Sequence, residues 1–434
     1  MSDTTAVKAA PRRERPLART VVTAMIGQAL EWYDFYLYGT AAVLVFGQAF
    51  FPISHNPLIG IIASFGGFTL GFVARPVGAI LCGHLGDRIG RKKVLTLTLF
   101  TMGVATFLMG VLPTYQTIGL AAPILLVLLR IMQGLAAGGE TTGSVLMIAE
   151  SAGSERRAFF SSFSPAGAAL GFLLSSAAFL LAQSLPHDDF MAWGWRLPFL
   201  ASFLIVLLGV YMRLKLAETA EFQKAATTGK TVRAPLLEVF RHHPKPFLQV
   251  MGLRLGEGSA SYMLLVFSLV YGRYLHISNS VMLAIMTGAM ALLIPSILFF
   301  GNLSDRLGRR TIYRFGSIGI IVVAFPFFWL MRTTEPWAIA LGFFLAIVVV
   351  YGALQGSQPA LFSELFPSAS VRYSGLGTAR ELASVIGGGI APGVATALLS
   401  YYQSIWPVAI YLAGMGLITT ITIFLTPETH PAKR

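Results

Sequence analysis

Charge is what this sequence has least of: 12% of its 434 residues are charged, against roughly 25% for a soluble protein. So few charges cannot cover a solvated surface, which excludes an ordinary globular enzyme or binding domain. Cysteine is nearly missing as well. Cys82 stands alone, so there is no internal disulfide and no thiolate metal cluster, and it reads as a small apolar helix residue. The seven His are scattered, with His242 and His243 together in a polar stretch, and no Ser/His/Asp set, metal spacing or nucleotide loop appears. No enzyme, no metal and no cofactor beyond a coupling proton is therefore expected. A cleavable signal peptide is not evident either. The basic stretch from Lys8 to Arg19 precedes an apolar segment too long for a signal core, and it reads as a retained anchor helix.

What is present is apolar length. Hydrophobic residues make up 55% of the chain, and the mean hydropathy is +0.70. Spans of about 20 or more residues, enough to cross a bilayer, are read at 20–50, 58–82, 94–112, 118–149, 158–184 and 193–214. They resume at 246–274, 279–301, 311–331, 336–365, 373–400 and 405–426. The expected fold is an all-α membrane protein with twelve transmembrane helices in two six-helix halves. The organisation is an N-tail (1–19), a first half (20–214), a connection (215–245), a second half (246–426) and a C-tail (427–434).

The formal charge of +13 raises the question of nucleic acid, and its location answers it. Lys and Arg concentrate in the two tails and in every second loop. The exceptions are Arg75, Arg130, Arg254 and Arg380 inside spans, with Arg196, Arg273 and Arg332 bordering the opposite loops. Such alternation is the positive-inside pattern. It puts both termini in the cytoplasm and makes the bilayer the partner, with no nucleic acid and no obligate protein partner.

The halves repeat. GHLGDRIGRKK at 83–93 lies between spans 2 and 3, and GNLSDRLGRRT at 301–311 lies between spans 8 and 9; Glu150 with Arg157 is echoed by Glu364 with Arg372. Further stretches stand out: EWYDF at 31–35, ARPVGA at 74–79, RIMQGLAAGGE at 130–140 and WGWRLPF at 193–199. With these residues the chain resembles the major facilitator superfamily over essentially its full length, and within it the metabolite–proton symporters of bacterial inner membranes. RLGEG at 254–258, QGSQPALFSELF at 355–366 and the run from RYSGLG at 372 through ELASVIGGGIAP make it most similar to the shikimate-transporting type. One departure is Thr141 and Thr142, where that family commonly has Trp-Gly after GGE, and a substrate of different size would follow if they face the cavity.

Charges inside spans are costly, so each needs a role and a partner. Glu31 and Asp34 share a helical face in span 1, as Arg130, Gln133 and Glu140 do in span 4. Asp34 and Arg130 fall at similar depth and are expected to face one another. One reading is a permanent ion pair that fixes packing. The other is a proton switch, because burial favours the neutral acid and a guanidinium the ionised one, so that moving Arg130 or binding an anion to it changes proton affinity. Glu31 is a second carboxylate that could share the proton. The resemblance supports Asp34, since proton-coupled sugar porters similarly carry an acid in span 1 opposite an Arg in span 4.

Four in-span arginines and no in-span lysine point to a small organic anion, because the guanidinium fork suits a carboxylate. Arg75, Arg130 and Arg254 are the candidates. For Arg75 the resemblance implies anion sensing, and snorkelling to the cytoplasmic surface is the alternative. Arg254 with Glu257 is either a self-satisfied pair or a clamp that a ligand opens. Tyr33, Gln133, Tyr262, Gln355 and Gln358 complete the expected substrate shell, since amides and phenols bond hydroxyls and aromatic faces pack on a carbon ring. Gating is assigned to Asp87, Arg88, Arg91, Asp305, Arg306 and Arg309 in the two repeated loops, to Glu150 and Glu364, and to Arg380 and Glu381. The function expected is proton-driven symport of a small hydroxylated carboxylate by alternating access. Three rivals remain: a dicarboxylate symporter, which would want two substrate arginines; an osmolyte symporter, whose osmosensing forms carry a long C-terminal coiled coil; and a drug antiporter, which would carry a Gly/Pro motif in span 5.

Overall fold

The computed structural model describes residues 17–430 apart from 53–56, 90, 139–144, 147, 150, 151, 215–238, 240, 242, 367 and 368. Within these residues the helices join into twelve columns, and no strand occurs. They are α1 (17–49), α2 (Pro57–Ile89), α3 (Arg91–Val111), α4 (Ala121–Ala137), α5 (Arg157–Ala182) and α6 (Leu197–Leu214) in the first half. The second half holds α7 (244–274), α8 (Asn279–Leu307), α9 (Arg309–Arg332), α10 (Pro336–Leu365), α11 (369–402) and α12 (Trp406–Phe424). Seven columns (α2, α5 and α8–α12) are long and apolar enough to cross a membrane by length and composition alone. Two of the others, α1 and α7, carry Gln28, Glu31 and Asp34, and Gln249, Arg254 and Glu257. These buried polar groups lower the apolarity of the very helices that meet at the centre. Bands of exposed Leu, Ile, Val and Phe cover the outer faces, as a lipid contact requires.

The repeated Gly-Asp-Arg segments differ from the loops expected of them. α2 runs through Asp87 to Ile89 and α8 runs through Asp305 to Leu307. Each helix runs on through its Asp and Arg, so the columns extend past the apolar band. The turn after α8 comes at Gly308, whose φ of 106° suits glycine and few other residues.

Within the first half α2 and α4 pack backbone to backbone. A Cβ on Gly134 would run into the carbonyl of Gly71, and one on Gly71 would strike the Arg130 side chain. Small residues thus let two helices approach closely and leave a slot in which Arg130 lies.

The halves meet along four seams. α1 meets α7 through the Tyr36 and Ser261 hydroxyls at 2.9 Å. α2 meets α11, where Thr69 donates to the Gly389 carbonyl at 2.7 Å. α5 meets α8 through Thr287 and Ser176 at 3.0 Å, and α5 meets α10 through Arg157 and Glu364. Both α1 and α7 contain a π-turn at corresponding heights, Ala42–Phe46 and Met263–Phe267. A π-turn shifts the backbone ladder by one carbonyl. The Val43 carbonyl of the α1 turn accepts from Arg273 of α7, which ties the two lead helices together toward their C-terminal ends.

Candidate functional site

The polar residues of the seams form three groups near mid-membrane. In the first, Arg130 of α4 is fully buried, with its guanidinium 4.1, 4.5 and 4.9 Å from the ring centres of Phe35, Tyr38 and Phe68. It donates to Gln133, whose amide donates to Thr106 of α3 at 2.8 Å. Thr106 also stands beside the Asp34 carboxyl. Among the described residues no ion pair joins Asp34 to Arg130, contrary to the face-to-face pair the sequence suggests, and the Arg130 Nε and Nη2 donors have no hydrogen-bond partner. The three aromatic faces occupy the space a carboxylate would take and attract the cation through their quadrupoles.

The second group crosses the halves. Arg75 of α2 donates from Nη2 to Glu31 of α1 at 2.9 Å and from Nε to Glu381 of α11 at 2.6 Å. Its guanidinium also lies 4.8 Å from the Phe35 ring centre. All three side chains are buried, so Arg75 does not snorkel to the surface. Glu31 further accepts from Gln28 at 3.2 Å, which fixes its orientation from within α1.

The third group belongs to the second half. Arg254 and Glu257 form an ion pair one turn apart on α7, and Gln358 of α10 donates to Glu257 at 2.9 Å. The Arg254 Nε points at Ser384 of α11, 3.4 Å away. Gln355 donates to the Tyr351 hydroxyl. The Tyr262 hydroxyl is buried without a hydrogen-bond partner among the described residues, while its ring packs against Tyr36, Phe68 and Phe72 from the other half. Arg380 sits one residue from Glu381 but on another face, within electrostatic range of Arg254, Glu381, Glu31 and Arg75.

Tyr33 does not join these groups. It donates to the Pro198 carbonyl of α6 at 2.8 Å, because it lies about 100° around α1 from Asp34. Its expected place in the substrate shell is therefore corrected to a packing contact inside the first half. Sequence reasoning missed Thr106, Ser261 and Ser384, and it missed the Phe35, Phe68 and Phe72 faces. Single hydroxyls and aromatics in an apolar helix carry no signal until packing brings them to a charge.

At the end of the bundle that carries the repeated Gly-Asp-Arg segments, Asp305 accepts the Ala158 and Phe159 N–H groups at the start of α5, at 3.0 and 2.8 Å. A carboxylate there meets the positive end of the helix dipole. Glu364 holds Arg157 of α5 at 3.0 Å and Arg309 of α9 at 2.9 Å. Arg306 is exposed. The side chains of Asp87, Arg88 and Arg91, and residues Glu140, Thr141, Thr142 and Glu150, lie outside the described residues. After α12 the chain folds back, where Glu428 accepts the Arg309 and Arg310 N–H groups and His430 Nε2 lies 2.8 Å from the Asp305 carbonyl.

The family model for the Major Facilitator Superfamily matches residues 24–388. The chain is 39% identical to the shikimate transporter of Escherichia coli, over 95% of each chain. It is 36% identical to an inner membrane metabolite transport protein of the same organism, over 95% of this chain and 94% of that one. Identity to the proline/betaine transporter of Salmonella typhimurium is 33%, over 94% of this chain and 83% of the other. Among solved structures, the partially occluded inward open conformation of an Escherichia coli xylose transporter superposes with a TM-score of 0.73 at 17% identity, covering 95% of this chain and 98% of that one.

Proposed function

The chain belongs to the Major Facilitator Superfamily, it is a membrane transporter and not an enzyme, and from that premise we propose that it imports a small hydroxylated carboxylate, shikimate-like, together with a proton. The observation that carries this reading is the state of Arg130 and Asp34: a buried guanidinium with two unfilled donors, beside a buried acid that forms no ion pair among the described residues. An isolated buried charge is costly, and a proton on Asp34 removes that cost.

Charge balance adds the stoichiometry. Among the described residues the mid-membrane charges are Arg75, Arg130, Arg254 and Arg380 against Glu31, Asp34, Glu257 and Glu381. With all ionised they cancel. A proton on Asp34 leaves one positive charge, which one carboxylate neutralises, so a monoanion and one proton cross together. The likeness to the shikimate transporter supports the acid, and Gln355, Gln358 and Tyr262 offer its hydroxyls partners. Both termini lie in the cytoplasm, following the distribution of Lys and Arg. Asp305, Glu364 and Arg309 close the cytoplasmic side against α5, and Glu381 closes the α2–α11 seam against Arg75 on that same side of the bilayer centre.

Uptake of labelled shikimate, oxoglutarate, citrate and betaine into proteoliposomes with an inward proton gradient tests the reading. Shikimate should accumulate and a protonophore should abolish the accumulation. Stronger competition by oxoglutarate or betaine than by unlabelled shikimate would overturn it.

A further inference from the structure

Arg380 makes no hydrogen bond and no ion pair among the described residues, and it is partly exposed where Arg75, Arg130 and Arg254 are buried. A bare guanidinium at this depth is costly unless it faces water or an anion. Lipid is not its neighbour. Arg380 shares a face of α11 with Ser384, which receives the Arg254 Nε, and with Gly387, which packs on the Leu255 backbone of α7. The exposed Ile386 and Ile390 mark the opposite side of the helix.

The adjacent acid does not neutralise it. Neighbouring residues on a helix diverge by about 100°, and Glu381 is committed across the seam to Arg75 at 2.6 Å. The first of the charges around Arg380 is moreover another cation, Arg254. Two guanidinium groups held near each other, one of them unpartnered and accessible, make a place for an anion. Arg130 cannot offer the same first contact, being sealed behind three rings.

We propose that Arg380 is the anchor for the carboxylate of the transported acid, with the Ser384 hydroxyl beside it and Arg254 behind. The inference rests on the carboxylate-import reading and names its binding residue. The gating role expected of the Arg380–Glu381 dipeptide then falls to Glu381 alone.

Calorimetric binding of shikimate and of its uncharged methyl ester to the purified full-length protein tests this. Wild type should prefer the acid. Arg380→Gln should weaken acid binding by about tenfold or more and leave ester binding within about threefold, while Arg380→Lys falls between. Arg380→Gln that keeps the wild-type preference overturns the proposal. A second variant guards against simple misfolding: Arg380→Cys, combined with Cys82→Ser, should regain the preference for the acid after modification by a cationic aminoethyl thiosulfonate and not by an anionic sulfonatoethyl one. Equal results with the two reagents overturn it as well. Wild-type binding of betaine with no binding of shikimate would sink the hydroxylated-acid reading itself, whereas shikimate binding indifferent to residue 380 sinks only the anchor.

Discussion

Glu381→Gln removes the one mid-membrane ion pair that crosses between the halves among the described residues, and its effect can be worked from the geometry around Arg75. Breaking a buried pair costs about 3–5 kcal/mol when the remaining charge is left bare. Arg75 is not left bare: Glu31 still holds Nη2 at 2.9 Å, the Phe35 ring still faces it, and the new amide oxygen can still accept from Nε. The loss is then nearer that of one charge-assisted hydrogen bond, about 1.5–2 kcal/mol, or roughly a 10- to 30-fold rise in the ratio of open to closed α2–α11 seam. Spin labels at Leu85→Cys and Ser374→Cys, with Cys82→Ser, report that seam from the ends of α2 and α11 nearer the pair. Pulsed dipolar spectroscopy should show the longer distance gaining population in Glu381→Gln. Glu31→Gln is the control, because it removes a carboxylate from the same guanidinium within one half. Equal opening by both variants, or none by Glu381→Gln, would refute the argument.

Asp34→Asn should abolish accumulation against a gradient while exchange of labelled for unlabelled acid continues; accumulation at the wild-type level would remove Asp34 from coupling. Gln355→Leu should weaken uptake of the hydroxylated acid far more than uptake of a non-hydroxylated ring carboxylate, measured by competition. Gln358→Leu should in addition lower thermal stability by about 1–3 kcal/mol, since it strips Glu257 of its amide donor. Gly134→Ala should lower stability by about 1–3 kcal/mol, because the added methyl meets the Gly71 backbone, which has no rotamer to yield; an unchanged melting temperature would mean that α2 and α4 can move apart.

The columns were legible because apolar length, alternating positive loops and a repeated motif all carry one message, and the fold follows from them. The arginines were legible as functional because charge in an apolar span always asks for an explanation. Their pairing was not. Depth alone matched Asp34 with Arg130, yet aromatic faces from α1 and α2 surround that guanidinium, and rotation of a helix about its axis is invisible in residue spacing. Glu381 was set apart from Arg75 for a related reason: they are 306 positions apart, and nothing in either segment names the other. The Gly-Asp-Arg segments looked like loops because they are polar, but polarity there marks the edge of the lipid and not the end of the helix.

The two ion pairs that cross the halves among the described residues share a plan with a kinetic consequence. Arg75 is held by Glu31 from its own half and Glu381 from the other; Glu364 is held by Arg309 from its own half and Arg157 from the other. When the halves part, the central member of each trio keeps a counter-ion, so only the outlying member is uncovered. The orphaned ion is an acid of the second half at mid-membrane and a base of the first half, already part-exposed, at the Gly-Asp-Arg end. Each parting therefore desolvates or rehydrates one group at a time. A barrier assembled in single steps of that size is crossed far more often than one that strips both partners of a buried pair at once.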